Sequence, residues 1–162
     1  IRDGEVMVPG TTKIHSKVAM EIENGKLPPH AIHTARHKNI VCSVIGNIKK
    51  PMFETWFQGK IGDQIVLATD GLWDVVSDYE IMKLAQKYSG KNLQNKLYQL
   101  AYNRNNSTKA FHIKFSKEKT LEIGPLYVKG KYASGDNITV LVIELAENLH
   151  LSESEDQKQL PF

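Results

Sequence analysis

The sequence lacks the features that define several common classes of small protein. It contains one cysteine in 162 residues, so it can form neither an internal disulfide nor a cysteine cluster, which is typical of the reducing cytoplasm. No apolar run approaches the roughly 20 residues of a membrane-spanning helix. A basic-then-apolar leader is also missing, and the first residue is Ile1 rather than Met. We therefore expect a cytoplasmic globular protein that does not enter a membrane and that lacks an upstream part.

The net charge is small, at +3, which is too little to indicate nucleic-acid binding by itself. Its distribution is uneven, because residues 104–133 hold seven basic and two acidic side chains, a net of +5. Such a segment is usually a solvated face, and docking of a phosphorylated or acidic partner is the alternative. Without an aromatic platform or a recognised fold beside the charge, we expect no nucleic-acid partner. Residues 147–162 form a polar tail.

The pattern of apolar and turn residues predicts a mixture of helices and antiparallel strands. Asp3-Gly4 favours a hairpin at the start, and a Ser16 cap and Gly25 would bound a short helix. A further short helix is expected from Pro28-Pro29 to about residue 35. Strands are predicted at 39–45, 52–57, a buried one at 64–69, near 111–115 and 126–128, and at 137–145.

Two longer helices complete this prediction. Ser77 and Glu80 form a capping box before a helix whose inner face carries Ile81, Leu84, Ala85 and Tyr88. A second helix is predicted from about Leu93 to Tyr102. Helices and strands alternate without a regular βαβ rhythm or a glycine-rich phosphate loop, so the fold class is α+β with largely antiparallel sheet.

Two aspartates lie at the ends of predicted strands. Asp70 follows directly on the strand 64–69, and Asp136 directly precedes the strand 137–145. A carboxylate at a strand end is held at the rim of a sheet, where it can bind a hard cation such as Mg²⁺. Gly71 and Gly135 would let the backbone approach closely there. The alternative is that Asp-Gly and Gly-Asp are ordinary turns.

Longer motifs around these aspartates resemble a known family. Leu67-Ala68-Thr69-Asp70-Gly71-Leu72-Trp73-Asp74-Val75, followed by a capped helix, resembles the hallmark segment of type 2C (PPM) serine/threonine protein phosphatases. Ser134-Gly135-Asp136-Asn137-Ile138-Thr139-Val140 is similar to the closing motif of that family. His15-Ser16, Glu21 to Pro29, Ala31, His37, Asn39 and Gly46 are similar to the flap of its bacterial-type members. The resemblance covers residues 1–146 as the C-terminal half of the domain, with a flap-like region at 15–38 and a basic insertion at 104–133.

The resemblance implies a fold, a reaction and a set of metal ligands. The fold would be part of an α-β-β-α sandwich of antiparallel sheets flanked by helices. The reaction would be hydrolysis of phosphoserine or phosphothreonine in a protein substrate, by a water that two Mn²⁺ or Mg²⁺ ions share and activate. Asp70 and Asp136 correspond to metal ligands, and Asp74 to a ligand of a third ion in some members. Asn137 would orient Asp136, while Leu72 and Trp73 would pack beneath the site.

The departures from the family limit what this chain does alone. The first metal-binding carboxylate, the Asp-Gly-X-Gly-Gly segment and the phosphate-binding arginine of the family have no counterpart, and Ile14 stands where an acidic residue usually precedes His15. We therefore expect the isolated chain to be inactive and to need the missing N-terminal half of the domain. The alternatives are a pseudophosphatase that serves as a binding or regulatory module, and a structural subunit whose partner supplies the missing strands.

Cysteine and histidine side chains give weaker signals. Cys42 lies in an apolar run, where a small buried hydrophobe is expected rather than a nucleophile. His30, His33 and His37 have the spacing of a metal-binding trio on one helix face. The sequence shows neither a cysteine nor other side chains that would support them as metal ligands. We expect these histidines to lie on a solvated flap surface.

Overall fold

The computed structural model describes residues 1–7, 12, 14–44, 58–115, 120–123, 127–128, 131–132 and 137–147. The predicted strand at 52–57 and nearly all of the polar tail lie outside these residues. Within the part that is described, no helix has both the length and the apolar character of a membrane span.

The central sheet consists of two antiparallel strands that are distant in sequence. β1, Gln64–Ala68, pairs with β6, Val140–Glu144, in a register that places Val66 opposite Val142. Two further antiparallel pairs are β2, Phe111–Lys114, with β3, Thr120–Ile123, and β4, Tyr127–Val128, with β5, Lys131–Tyr132. The predicted α+β class with antiparallel sheets is confirmed.

The two faces of the β1–β6 sheet have different surroundings. One face carries Val66, Ala68, Val140 and Val142, which pack on the helical core. Residues on the other face are apolar as well, yet Leu67, Leu141 and Ile143 are 51%, 46% and 39% exposed. The strand at 64–69 is therefore buried on one face only, which corrects the prediction of a buried strand. We call this second surface the outer sheet face.

Two helices supply half of the buried residues in the core cluster on the inner face of the sheet. α4, Asp78–Ala85, begins at Ser77 with both hydrogen bonds of the predicted capping box. α5, Gly90–Asn105, turns Leu93, Leu97 and Ala101 inward, where all three are fully buried. The spacing of four between these residues places them along one helix face, so they meet Leu72, Val75, Val76, Ile81 and Val140 in a single cluster.

A buried ion pair joins these helices to the β2 strand. The guanidinium of Arg104 donates to both carboxylate oxygens of Glu80 at 2.7 Å, and to the carbonyls of Val75 and His112. The same carboxylate accepts from the amide of Lys114 at 3.1 Å. The two side chains are only 11% and 9% exposed. One paired carboxylate therefore fixes α4, α5 and β2 relative to one another.

The N-terminal hairpin lies beside the start of β1. Asp3 and Gly4 have φ angles of 49° and 73°, as the predicted two-residue turn requires. Arg2 donates from Nε and Nη2 to the two oxygens of Asp63, at 2.8 and 2.7 Å, just before β1. Because of this pairing and a second hydrogen bond from the amide of Lys60, the pKa of Asp63 lies well below its usual value.

Two short helices form the region that we call the flap segment, residues 15–38. α1, Lys17–Glu23, is capped by the hydroxyl of Ser16, which accepts from the amide of Ala19, and Gly25 follows it with φ 69°. α2, Ala31–Thr34, is shorter than predicted, because its turn forms only after Pro28 and Pro29. Each helix is too short to be stable by itself, so tertiary contacts must hold it in place.

The apolar run after the flap segment was interpreted incorrectly. Of residues 39–44, only Val41 forms a strand-like bridge, to Ser16, and the run forms no strand there. Ile40 and Val41 are exposed, and so is Cys42, although Cys42 was predicted to be buried. The segment follows residues 15–17 along the surface, and within the described part of the chain no second layer covers it. Apolar composition was therefore not sufficient to bury it.

Candidate active site

The first aspartate motif forms a tight turn between β1 and a single helical turn. α3, Asp70–Trp73, starts immediately after Thr69, and the amide of Asp74 donates to the carbonyl of Asp70 at 2.8 Å. The Asp70 side chain is exposed, and its Oδ1 accepts from the amide of Gly71 at 3.0 Å. Asp70 therefore lies at the rim of the sheet, as its position in the sequence predicted.

The second motif lies directly against the first. The hydroxyl of Thr69 donates to the carbonyl of Asn137 at 2.8 Å and accepts from the amide of Thr139 at 3.0 Å. The amide of Thr69 in turn donates to the carbonyl of Thr139 at 3.1 Å. These bonds continue the pairing of β1 with β6 beyond the strand ends, so they bring the two motifs together at one rim.

Gly71 makes this close approach possible. A Cβ at position 71 would lie 2.6 Å from the carbonyl oxygen of Asn137, which no real side chain tolerates. On the other side, the buried Asn105 donates from Nδ2 to the carbonyl of Gly71 at 2.8 Å. The peptide of Gly71 is thus held between β6 and the end of α5, and the close approach that was predicted here is present.

The described residues include the Asp70 side of this rim. Asp136 lies outside the described residues, so its role as a ligand stays a prediction. Asp70 fits, since it is an exposed carboxylate on a fixed turn and such oxygens suit Mg²⁺ or Mn²⁺. Among the described residues, no three histidine, cysteine or acidic side chains come together as a metal-binding group. Asn137 is present beside Asp70, and its proposed support of Asp136 also stays a prediction.

Asp74 has a different environment from Asp70. Its Oδ2 is paired with the ammonium of Lys38, which belongs to the flap segment. Its backbone carbonyl accepts from Nδ1 of His33 at 3.0 Å. The side chain of Asp74 is therefore already neutralised by a cation of the chain itself, and it does not fit the part of an open metal ligand.

The three histidines of the flap segment do not share a site. His33 is buried against the ring of Phe115, and burial lowers its pKa, which favours the neutral ring. Because a carbonyl only accepts, the proton of that neutral ring is on Nδ1. His37 pairs with Glu21 at 2.7 Å, and His30 is exposed at the start of α2. A solvated flap surface was thus the wrong interpretation for His33.

The apolar residues of the first motif pack as predicted. Leu72 is fully buried in the core cluster. Trp73 packs against that cluster, and its ring nitrogen donates to the carbonyl of Ala68 at 3.0 Å. Both side chains therefore support the turn that carries Asp70.

Three residues that position the site were missed from sequence. Asn105 lies four residues after Ala101, so it continues the spacing of Leu93, Leu97 and Ala101 on the inner face of α5. This spacing could have identified it, but the helix was predicted to end at about Tyr102. Arg104 was assigned to the basic segment, whereas it pairs internally with Glu80. Nothing in the sequence indicated that Lys38 pairs with Asp74, because the two residues are 36 positions apart in the chain.

The sequence of the site region matches one family model. Residues 56–110 match the model of Protein phosphatase 2C, a range that contains β1, α3, α4 and α5 with both Asp70 and Asp74. Over these residues the chain is similar to the protein phosphatase 2C family. The phosphatase 2C motif around Asp70 is thus the part of the chain that carries this relationship. No curated protein sequence matches the chain.

Two solved phosphatases are similar in structure. The serine/threonine phosphatase PstP/Ppp of Mycobacterium tuberculosis aligns with a TM-score of 0.57 and 23% sequence identity, over 90% of this chain and 49% of that one. The serine/threonine phosphatase of S. agalactiae aligns with a TM-score of 0.47 and 25% identity, over 62% and 41% of the two chains. The first likeness shows that this chain shares its fold with part of that structure. This chain spans about half the length of the structures that it matches.

Proposed function

We propose that the whole protein to which this chain belongs hydrolyses phosphoserine and phosphothreonine in proteins, with Mn²⁺ or Mg²⁺ as cofactor. The observation that carries the proposal is the contact between the two aspartate motifs, in which Thr69 and Gly71 lie against Asn137. Two motifs from distant parts of the chain would not need a glycine at this contact unless their backbones had to meet. Their meeting places Asp70 beside the residue that follows Asp136.

In this proposal, the residues of the chain hold and orient the site. Asp70 supplies a carboxylate oxygen from a turn that Trp73 and Leu72 fix from below. Asp136 supplies the second carboxylate, and Asn137 holds it in place. The metal ions, when bound, supply the chemistry by polarising the phosphate and by lowering the pKa of the attacking water. Asp74 is left out of this set, because Lys38 neutralises it.

The remainder of a phosphatase domain is the expected partner of this chain. The outer sheet face presents Leu67, Leu141 and Ile143, and a second sheet packed there would complete a sandwich. The structure that this chain matches is about twice as long, which leaves room for that sheet. We propose that this second half also supplies the remaining metal ligands, so the 162 residues alone do not hydrolyse a phosphoprotein.

The test is Mn²⁺-dependent hydrolysis of a phosphothreonine peptide by the whole protein. Asp70→Asn should lower kcat/KM by about 100-fold or more, since even changes behind a metal ligand cost about 10–100-fold. Asp3→Asn is the matched control, because Asp3 is exposed in a turn whose positive φ asparagine tolerates, and its activity should be unchanged.

Two results would contradict the proposal in different ways. Full activity in Asp70→Asn would show that the active site does not lie at this rim. No hydrolysis by the wild-type protein, with phosphopeptide binding retained, would favour the pseudophosphatase alternative instead. Activity of the 162 residues alone would refute the need for a second half.

A further inference from the structure

A lysine of the flap segment is paired with an aspartate of the phosphatase 2C motif. The ammonium of Lys38 contacts Oδ2 of Asp74, and the two side chains are 13% and 27% exposed. Water and salt screen such a partly buried pair less than a pair on the open surface. The contact therefore holds two segments that are 36 residues apart in sequence.

The pair changes what Asp74 can bind. A divalent cation at this carboxylate would compete with the ammonium, because two positive charges at one carboxylate repel each other. Displacement would also leave the largely shielded Lys38 ammonium without its anion, which is costly. We propose that Lys38 takes the place of an additional divalent cation at Asp74, so that Asp74 positions the flap segment instead of binding metal.

A second contact makes Asp74 an anchor for the flap segment. His33 is on α2, and its Nδ1–H donates to the backbone carbonyl of Asp74 at 3.0 Å. Lys38 follows α2 by four residues and holds the side chain of the same aspartate. Because α2 has only four residues and is not stable by itself, these two contacts help to hold it in place, together with the packing of His33 on Phe115.

The inference rests on the proposed function in one respect, namely that a metal site lies at this rim. Its structural part is independent of catalysis. We therefore test it by two readouts that do not require turnover, amide hydrogen exchange and the number of bound Mn²⁺ ions, both in the whole protein.

The first readout is hydrogen exchange of the amides at residues 31–38. Lys38→Ala should raise their exchange rates about fivefold or more, and Asp74→Asn should do the same, because each change removes the pair of Lys38 and Asp74. The double variant should exchange no faster than either single variant, since both remove one interaction. Lys87→Ala is the matched control, an exposed lysine near the end of α4, and should leave these rates unchanged. Unchanged exchange rates at residues 31–38 in Lys38→Ala would show that the pair of Lys38 and Asp74 does not hold the flap segment.

The second readout is calorimetric titration with Mn²⁺. Lys38→Ala should bind one Mn²⁺ more than the wild-type protein, and that ion should be lost again in Lys38→Ala with Asp74→Asn. If wild type and Lys38→Ala bind equal numbers of Mn²⁺ ions, Lys38 does not take the place of a cation. The same conclusion would follow if Asp74→Asn alone bound one Mn²⁺ fewer than wild type. A wild-type protein without phosphatase activity would refute the proposed function, but both readouts would still decide this inference.

Discussion

The hydroxyl of Thr69 donates a hydrogen bond to the backbone carbonyl of Asn137 at 2.8 Å, across 68 residues of sequence. The same oxygen accepts from the amide of Thr139 at 3.0 Å. One side chain thus connects the two aspartate motifs by two hydrogen bonds. This threonine therefore helps to fix the position of β6 relative to Asp70, beside the pairing of β1 with β6.

Replacing that hydroxyl tests how firmly the motifs are joined. Thr69→Val keeps the shape of the side chain but removes both hydrogen bonds, so we expect the free energy of unfolding to fall by about 0.5–1.5 kcal/mol. Thermal or urea unfolding measures the change. Thr108→Val, at an exposed position after α5, is the control and should have little effect. Equal stability of Thr69→Val and wild type would mean that water replaces both bonds without cost.

Gly71 is the position where added volume should do most harm to the site. Gly71→Ala places a methyl group 2.6 Å from the carbonyl oxygen of Asn137, so β6 or α3 must move. We expect a loss of about 1–3 kcal/mol in stability, as for other overpacked sites, and a lower Mn²⁺ affinity of the whole protein. Unfolding and Mn²⁺ titration are the measurements.

The control for Gly71→Ala is another glycine with a different constraint. Gly62 has φ +87° and no atom within 4 Å of its Cβ position. Gly62→Ala should therefore destabilise the fold through its backbone conformation while leaving Mn²⁺ binding unchanged. Equal losses of Mn²⁺ affinity in both variants would show that Gly71 acts through general stability rather than through the contact with Asn137.

The buried pair of Glu80 and Arg104 should be costly to break from one side. Arg104→Ala leaves a buried carboxylate without its cation, and we expect a loss of about 3–5 kcal/mol in the free energy of unfolding. Chemical denaturation measures it. Removing both partners, in Glu80→Gln with Arg104→Ala, should cost less than the sum of the single changes. Additive losses would contradict the direct coupling.

The pairing of Arg2 with Asp63 predicts a dependence of stability on pH. The folded-state pKa of Asp63 is lowered, first by Arg2 and then by the amide of Lys60. Its stabilising contribution is therefore complete above the unfolded pKa of about 4 and is lost as pH falls below that value. The stability difference between wild type and Asp63→Asn should be constant from pH 7 to 5 and should narrow towards pH 3. A constant difference for Asp63→Asn over this whole range would contradict the assignment.

Local signals in the sequence predicted most of the elements that carry the site. The Ser77 and Glu80 capping box, the Asp3-Gly4 turn and the strand before Asp70 follow from short patterns, and the structure confirms them. The strand predicted at 137–145 is also present, but it begins three residues later, at Val140. The same patterns predicted that Gly71 would meet another backbone. The roles of Asp70 and Asp136 as metal ligands came from the resemblance, and they remain predictions.

Interactions between distant residues could not be predicted in the same way. The Lys38–Asp74 pair and the neighbours of Arg104 depend on which helices meet, and a charged residue in one segment gives no sign of its partner in another. The prediction that Cys42 is buried was wrong for a related reason. Burial requires a second layer of structure, and the composition of one segment does not reveal whether that layer is present.

The outer sheet face bears on how the protein would behave in a cell. Aliphatic side chains at Leu67, Leu141 and Ile143, left open to water, form the kind of surface that chaperones bind and that promotes aggregation at micromolar concentrations. A copy of this chain without a covering layer should consequently be removed quickly by proteolysis. The lifetime of the chain in a cell would then show whether the second half of the domain, which would cover the outer sheet face, is present.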